Sequence, residues 1–254
     1  MRKFGRIGGV GGYSESMIGV AVTGAAGTVG RALTPRLGAG AAIVPIDRPQ
    51  VDILADPGRL RRLVRGCDVV VHLAFDPGGD GAPREHWQAP TRNPANPALF
   101  EAVLAAALDA EVGLFVHASS IHVEDTMAWA RRTGAPLLTA RPGVFATETP
   151  SGYGRSKREQ EARLRSVADR FARGAVSIRL GGVTPDDAPL AWAEDQAVLD
   201  HERRVWLAHD DLADLVAAVI ATRRVPGFDV VYAVSANRGR FHDVSNVYGW
   251  TPQR

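Results

Sequence analysis

The stretch Ile18-Gly19-Val20-Ala21-Val22-Thr23-Gly24-Ala25-Ala26-Gly27-Thr28-Val29-Gly30 decides the architecture. Ile18 to Thr23 is a short apolar run rich in β-branched residues, the pattern of a buried strand. Each glycine after it has its own task. Gly24 permits a tight turn, Gly27 removes a Cβ where a diphosphate must approach the backbone, and Gly30 allows the next helix to pack closely. That helix, read from about Thr28 to Leu37, begins with Thr28, Val29 and Gly30, whose N–H groups and positive dipole end suit phosphate oxygens.

Outward from this turn the pattern alternates. Ala42 to Ile46 reads as a second strand, Arg59 to Arg65 as a short basic helix and Asp68 to Leu73 as a third strand. Leu99 to Leu108 is an Ala/Leu helix and Gly113 to Ala118 a strand. Arg155 to Phe171 reads as a long Arg/Glu helix turning Ala162, Leu164, Val167, Ala168 and Phe171 inward, and Val176 to Leu180 closes the series. Strands that alternate with helices and lack polar-out alternation predict a parallel sheet covered on both faces, an α/β, Rossmann-type doubly wound fold. Beyond Leu180 the pattern is less regular, with a helix near Leu212 to Thr222 and a strand at Val230 to Val234. We read residues 17–254 as a single domain in which about 181–254 contribute a small C-terminal substrate-binding cap. Residues 1–16 read as a flexible extension, because Gly8, Gly9, Gly11 and Gly12 follow no strand and no apolar signal core is present. The stretches Asp76 to Pro97 and Glu124 to Pro150 read as loops, which in such sheets carry ligand contacts.

The composition narrows the classes. In 254 residues, 45% are apolar and 23% charged, which excludes a disordered chain. Cys67 is the single cysteine, so no intrachain disulfide forms, and a reducing, cytoplasmic setting is expected. Thirty basic against 28 acidic residues leave +2, which calls for no nucleic-acid partner. No apolar run is long enough for a bilayer, so no membrane partner is expected. His201, His209 and His242 lack ligand spacing, so no metal site is expected. His72 and His117 sit in strands and read as core residues, and His209-Asp210-Asp211 as a helix cap.

Two further groups carry chemistry. Asp47 ends the second strand, where its carboxylate can accept hydrogen bonds from both hydroxyls of an adenosine ribose and repel a 2′-phosphate. This favours NAD over NADP, although Arg48 beside it can welcome that phosphate. Asp52 and Ile53 are expected to border the adenine. Tyr153-Gly154-Arg155-Ser156-Lys157 places a phenol and an ammonium on one helix face. A cation about 5 Å away contributes about 3 kcal/mol at an effective dielectric of about 20, enough to lower a phenol by about 2 pKa units toward the working range of a general base. Ser119-Ser120, at the end of a strand, can hold a substrate oxygen beside that phenol.

The set Thr23-Gly24-x-x-Gly27-x-x-Gly30, Asp47, His72-Leu73-Ala74, Ser119-Ser120 and Tyr153-x-x-x-Lys157, in this order, resembles the short-chain dehydrogenase/reductase superfamily. More narrowly it resembles the extended branch of NAD-dependent epimerases and dehydratases, over about Met17 to the C-terminus. The resemblance implies that Tyr153 is the acid/base, that Lys157 tunes it and binds the nicotinamide ribose, and that Ser120 rather than Ser119 is the catalytic serine. Leu73, Ala74 and Asn96 are implied to face the cofactor, with Asn93 the other candidate asparagine, and Phe75 and His122 to face the substrate.

Ala118-Ser119-Ser120-x-His122, Arg179-Leu180-Gly181, Ala191-Trp192 and Val231 to Asn237 are most similar to uronate dehydrogenase-like proteins, which oxidise the anomeric carbon of a sugar acid with NAD. The segment Pro185 to Trp192, however, holds Asp186 and Asp187 and no arginine to clamp a carboxylate. A neutral, hydroxyl-rich sugar-like small molecule or a nucleoside-like compound is therefore the expected substrate. The resemblance also implies a homodimer through the helices at 99–108 and 155–173. The expected activity is hydride transfer between a sugar-like or polyol alcohol carbon and NAD. A nucleotide-sugar epimerase or dehydratase that retains its cofactor, and a non-catalytic dinucleotide-binding protein, are the alternatives.

Overall fold

A computed structural model describes residues 17–37, 41–79, 81–132, 134–225 and 227–254; the expected extension at 1–16 lies outside the described residues. The main sheet contains β1 (Ile18–Thr23), β2 (Ala41–Ile46), β3 (Val69–His72), β4 (Leu114–Ser120), β6 (Gly174–Leu180) and β7 (Phe228–Ala233). All its pairings are parallel, in the order β2-β1-β3-β4-β6-β7. The order reverses between β1 and β3, so their carboxyl ends diverge into a crevice, the place where sheets of this kind bind ligands.

Alternation along each strand supplies both faces. Val20, Val22, Val69, Val71, Val116 and Ile178 pack with Leu33 of α1 (Thr28–Leu33) and with Leu215 and Val219 of α7 (His209–Ala221). Ala21, Val70, Phe115 and Ala175 pack on the other side against α2 (Pro57–Val64), α3 (Ala95–Asp109) and α5 (Gly152–Arg165), through Leu60, Phe100, Leu104 and Leu164. Both faces being dry, the strands carry no polar-out alternation, as a two-sided parallel sheet requires.

Element boundaries shift for local reasons. The helix expected to reach Leu37 tightens into a 3-10 turn at Thr34–Arg36, because Pro35 has no N–H and its ring crowds the preceding turn. α2 starts early, with Pro57 at its first position and Asp56 accepting a hydrogen bond from Arg59 N at 2.8 Å. α5 starts at Gly152, capped by Ser151, and stops at Arg165, ahead of a short 3-10 turn at Ala168–Arg170. Its inward face differs from expectation at one residue: Ala162 is exposed and Glu161 is buried.

The expectation for residues 181–254 needs correction. α7 and β7 belong to the main layers, with β7 in register beside β6 (Ile178 opposite Val231). The covering part is built instead from α4 (Thr126–Ala130), β5 (Leu138–Thr139), β8 (His242–Asp243) and α6 (Gln196–Val205), a helix the sequence did not announce. These surround a separate apolar cluster of Ile121, Trp129, Leu138, Val205, Tyr232, Val234 and Phe241. Among the described residues no helix is long and apolar enough to cross a membrane.

Candidate active site

The glycine turn joins β1 to α1. Gly24 has φ +73°, and its N–H donates to Ile46 O at 2.9 Å; a Cβ there would fall 2.7 Å from Ala74 N. A Cβ on Gly30 would fall 2.3 Å from Gly24 O and 2.5 Å from Ala25 O, so the close approach it permits is to the turn itself rather than to a strand. Gly27 differs. Its φ is −72°, open to any residue, and a Cβ would meet only Gly24 O, at 3.3 Å. Folding makes a milder demand for glycine at 27 than at 24 or 30. The first amides of α1 lack a side-chain cap, which leaves them to an anion.

A cleft of about 980 Å³ opens over this turn, lined by Gly24, Gly27, Thr28, Val29, Gly30, Asp47, Arg48, Asp52, Ile53, Leu73 and Ala74 among others. Asp47 accepts hydrogen bonds from Ala26 N at 2.7 Å and from its neighbour Arg48 N at 2.8 Å. The carboxylate thereby ties the end of β2 to the glycine turn and retains lone pairs toward the cleft. Asp52 accepts from Leu54 N and Ala55 N, which shapes the turn below it. The charge placement, the bare backbone and the volume fit a dinucleotide.

These roles separate by substitution. Gly30→Ala is expected to cost about 1–3 kcal/mol by overpacking and to weaken NADH binding. Gly27→Ala is expected to weaken binding with little change in stability. Urea unfolding and NADH fluorescence titration of both variants check this; equal stability losses would contradict the geometry.

A second cavity of about 300 Å³ adjoins the first through shared residues Val29, Leu73 and Phe75. Ser120, His122, Tyr153 and Lys157 line it. Ser120 ends β4, accepts from His122 N at 3.1 Å and shares the cavity wall with Tyr153. Lys157, one turn on from Tyr153, donates to Ala118 O at 2.7 Å and stands 5.8 Å from the phenol ring centre. Phe75 packs edge-on against Tyr153 at 5.1 Å. Ser119 is taken elsewhere: its hydroxyl donates to Glu161 at 2.5 Å, within the buried pair of Glu161 and Arg179. Both serines line the cavity, but the Ser119 hydroxyl is engaged by Glu161.

The expected acidification of the phenol is not found. Burial pushes Tyr153 up to about 12, with the Ser120 hydroxyl opposing and the Glu85 charge reinforcing it. Burial also lowers Lys157 to about 8, against the raising influence of Glu85 and Glu161. Desolvation outweighs the attraction that the Tyr–Lys spacing suggests. At neutral pH the phenol holds its proton. His122 is pushed down to about 3 by burial and by His201 and His86, so its ring is neutral.

Other expectations move. Asn96 does not line the cleft; it is 2% exposed and spends its amide on Asp76 N, Asp76 O and Glu85 Oε2, fixing the loop after β3. Asn93 donates to the same Asp76 carbonyl. Asp187 accepts from His209 N at 2.7 Å at the start of α7, and neither it nor Asp186 lines the cavity around Tyr153, so neither bears on substrate charge. The residues that do are Glu85, Trp87 and Glu202, which the sequence reading missed. A tryptophan next to charged residues in an otherwise Pro/Gly-rich loop was the available signal.

Residues 20–184 match the NAD dependent epimerase/dehydratase family. Over 237 residues the chain is 30% identical to L-arabinose 1-dehydrogenase (NAD(P)(+)) of Haloferax volcanii, covering 89% of this chain and 91% of that one. It is 31% identical over 247 residues to uronate dehydrogenase of Agrobacterium fabrum, covering 91% and 83%. Among solved structures, a uronate dehydrogenase mutant from Agrobacterium tumefaciens complexed with NAD superposes with TM-score 0.66 at 26% identity, over 94% of this chain and 86% of that one.

Proposed function

The chain belongs to the NAD dependent epimerase/dehydratase family, and on that premise we propose that it is an oxidoreductase moving a hydride between an alcohol carbon of a sugar-like molecule and NAD. The observation that carries this is the continuity of the two cavities, one over the bare glycine turn and the other over Ser120, Tyr153 and Lys157. NAD, when bound, supplies the hydride acceptor. Gly24, Gly27, Thr28, Val29 and Gly30 hold its diphosphate, Asp47 its adenosine ribose, Asp52 and Ile53 its adenine edge, and Leu73 and Ala74 the middle of the cleft.

The chain's own groups handle the proton. Ser120 and Tyr153 line the same cavity, so a substrate oxygen there meets both hydroxyls. In oxidation Tyr153 Oη takes the alcohol proton; in reduction it gives that proton back. Lys157 Nζ, held by Ala118 O, favours the phenolate as it forms. His122 and Phe75 shape the substrate side.

Incubation with NAD and a panel of sugars and polyols, followed by absorbance of reduced nicotinamide, tests this. Net accumulation supports a dehydrogenase. Bound cofactor without accumulation points to an epimerase, in which the hydride returns to the substrate. Asp47→Ser is expected to weaken NAD by about tenfold, the worth of a hydrogen bond to a charged acceptor. With the carboxylate gone and Arg48 in place, the NADP to NAD ratio of kcat/KM is expected to rise at least as much; an unchanged ratio would remove Asp47 from cofactor choice. We further propose a cytoplasmic homodimer. Its contact would run through α3 and α5, which lie side by side and leave the Arg163–Glu101 pair partly exposed.

A further inference from the structure

The wall around Ser120 and Tyr153 carries one carboxylate that a ligand can reach. Glu202 belongs to α6, and the end of that helix is tied to the end of β6: Gly182 N donates to Val205 O and Leu207 N to Gly182 O, each at 2.9 Å. Residues 202 and 205, three apart on the helix, share the face turned to the cavity, and Glu202, Val205 and Gly182 all line it.

One oxygen of Glu202 is committed. Oε1 accepts from His201 Nδ1 at 3.1 Å, and His201 Nε2 meets Thr126 Oγ1 at 2.9 Å. Oε2 has no hydrogen-bond partner among the described residues, yet it is not walled off: the side chain keeps 22% of its surface exposed. Gly182 shows where Oε2 lies. A Cβ on Gly182 would meet Oε2 at 3.4 Å and no other atom within 4 Å outside its chain neighbours. The space over Gly182 is thus open cavity, with Oε2 on its edge.

The charge balance of the wall points the same way. Two carboxylates, Glu85 and Glu202, stand against one ammonium, Lys157, which is already engaged by Ala118 O. No arginine lines this cavity to clamp a carboxylate or a phosphate. Glu85 is 2% exposed and held by Asn93 and Asn96, so it adds charge but no contact. Phe75, Trp87 and Val183 supply apolar surface for sugar C–H groups.

We propose that Glu202 Oε2 accepts a hydrogen bond from a hydroxyl of the substrate, and that its charge restricts the site to uncharged sugars, disfavouring uronates and sugar phosphates. The inference rests on the dehydrogenase reading above and makes Glu202 a specificity-determining residue.

The test compares the wild-type chain with Glu202→Gln, which keeps the shape and removes the charge, and with Gly182→Ala, which sets a methyl against Oε2 at a position without a positive φ. Neutral pentoses and hexoses, their uronates and glucose 6-phosphate are assayed with NAD, and sugar binding to the NADH-loaded protein is measured in parallel by calorimetry. In the wild type, kcat/KM for the best neutral sugar is expected to exceed that for its uronate at least about tenfold, the effect of like charges about 5 Å apart at a partly exposed site. In Glu202→Gln the uronate to neutral-sugar ratio is expected to rise about tenfold. In Gly182→Ala, KM for the neutral sugar is expected to rise about tenfold with kcat little changed, the loss of a hydrogen bond to a charged acceptor. A merely structural role of Glu202 would move the urea midpoint but not the ratio. A wild type that prefers uronates, or a Glu202→Gln ratio that is unchanged, overturns the proposal while leaving the dehydrogenase reading intact. Should Glu202→Gln fail to fold, an unchanged KM in Gly182→Ala overturns it instead. Sugar binding that weakens in these variants without any NADH formation in the wild type supports the proposal and removes the dehydrogenase reading. Absence of both turnover and sugar binding overturns both.

Discussion

Tyr153→Phe is expected to lower kcat for sugar-dependent NAD reduction about a thousandfold, the worth of a positioned acid/base, while NADH affinity changes less than about threefold. The phenylalanine ring keeps the edge-on contact with Phe75 and leaves Lys157 on Ala118 O, so the cavity survives while the proton carrier is lost. The pH profile adds a second signature. Burial pushes Tyr153 up to about 12, so at neutral pH the phenol is protonated in nearly every molecule. Oxidation needs the phenolate, whose fraction rises tenfold per pH unit below the phenol's pKa. The oxidation rate of the wild type is therefore expected to climb from neutral pH and to level off above about 8, where the Lys157 ammonium that favours the phenolate loses its charge. Reduction uses the protonated phenol and is expected to stay flat near neutrality. Stopped-flow rates in both directions from pH 7 to 10 check this, and full activity in the Phe variant would remove Tyr153 from the chemistry.

Acid is expected to unfold this protein steeply. His72, His117 and His242 are buried in strands, 1%, 0% and 0% exposed, and burial pushes all three rings down, His72 to about 3. Lys157 adds to the lowering at His72 and His117, and several neighbouring cationic or imidazole groups do so at His242. An unfolded histidine titrates near 6.5, so below that pH the unfolded chain binds protons that the folded chain refuses. Stability is then complete above about pH 6.5 and falls as pH drops toward the folded-state values, by up to about 1.4 kcal/mol per pH unit for each ring. With His122, also pushed down to about 3 by burial, four rings make the slope about 6 kcal/mol per unit, a large share of the roughly 5–15 kcal/mol that holds a typical domain together. His117 has partners in Ser177 and Gln160, and His72 has one in Thr23, but both ring nitrogens of His242 lack one among the described residues. His242→Leu, close in volume, is expected to reduce the acid slope by one proton and to stabilise at pH 7 by about 1 kcal/mol. Urea midpoints at pH 7, 6 and 5 measure both; a flat pH dependence would show that these rings are not buried neutral.

Much of this molecule is legible in its residues. Ile18 to Gly30 predicts the strand, turn and helix correctly because glycine positions answer to backbone geometry within a few residues. Tyr153 and Lys157 share a face because a helix brings residues four apart together, whatever it packs against. The cleft over Gly24 to Gly30, Asp47 and Ala74 follows from the alternation of strands and helices, which leaves a parallel sheet little choice of where to open.

The remainder depends on contacts between distant segments. The family resemblance places Asn96 at the cofactor, yet only packing decides that its amide faces Asp76 and Glu85. Asp186 and Asp187 look like substrate contacts by adjacency, but Asp187 turns to cap α7. The covering cluster joins residues as far apart as Ile121 and Phe241, and β7 leaves that cover for the main sheet. By itself the sequence determined the sheet type, the glycine turn and the shared helix face of Tyr153 and Lys157, because those rest on local backbone periodicity. The tertiary structure alone decided the protonation of Tyr153 and the acidic wall of Glu85 and Glu202, because desolvation and charge proximity depend on which remote side chains exclude water from one another.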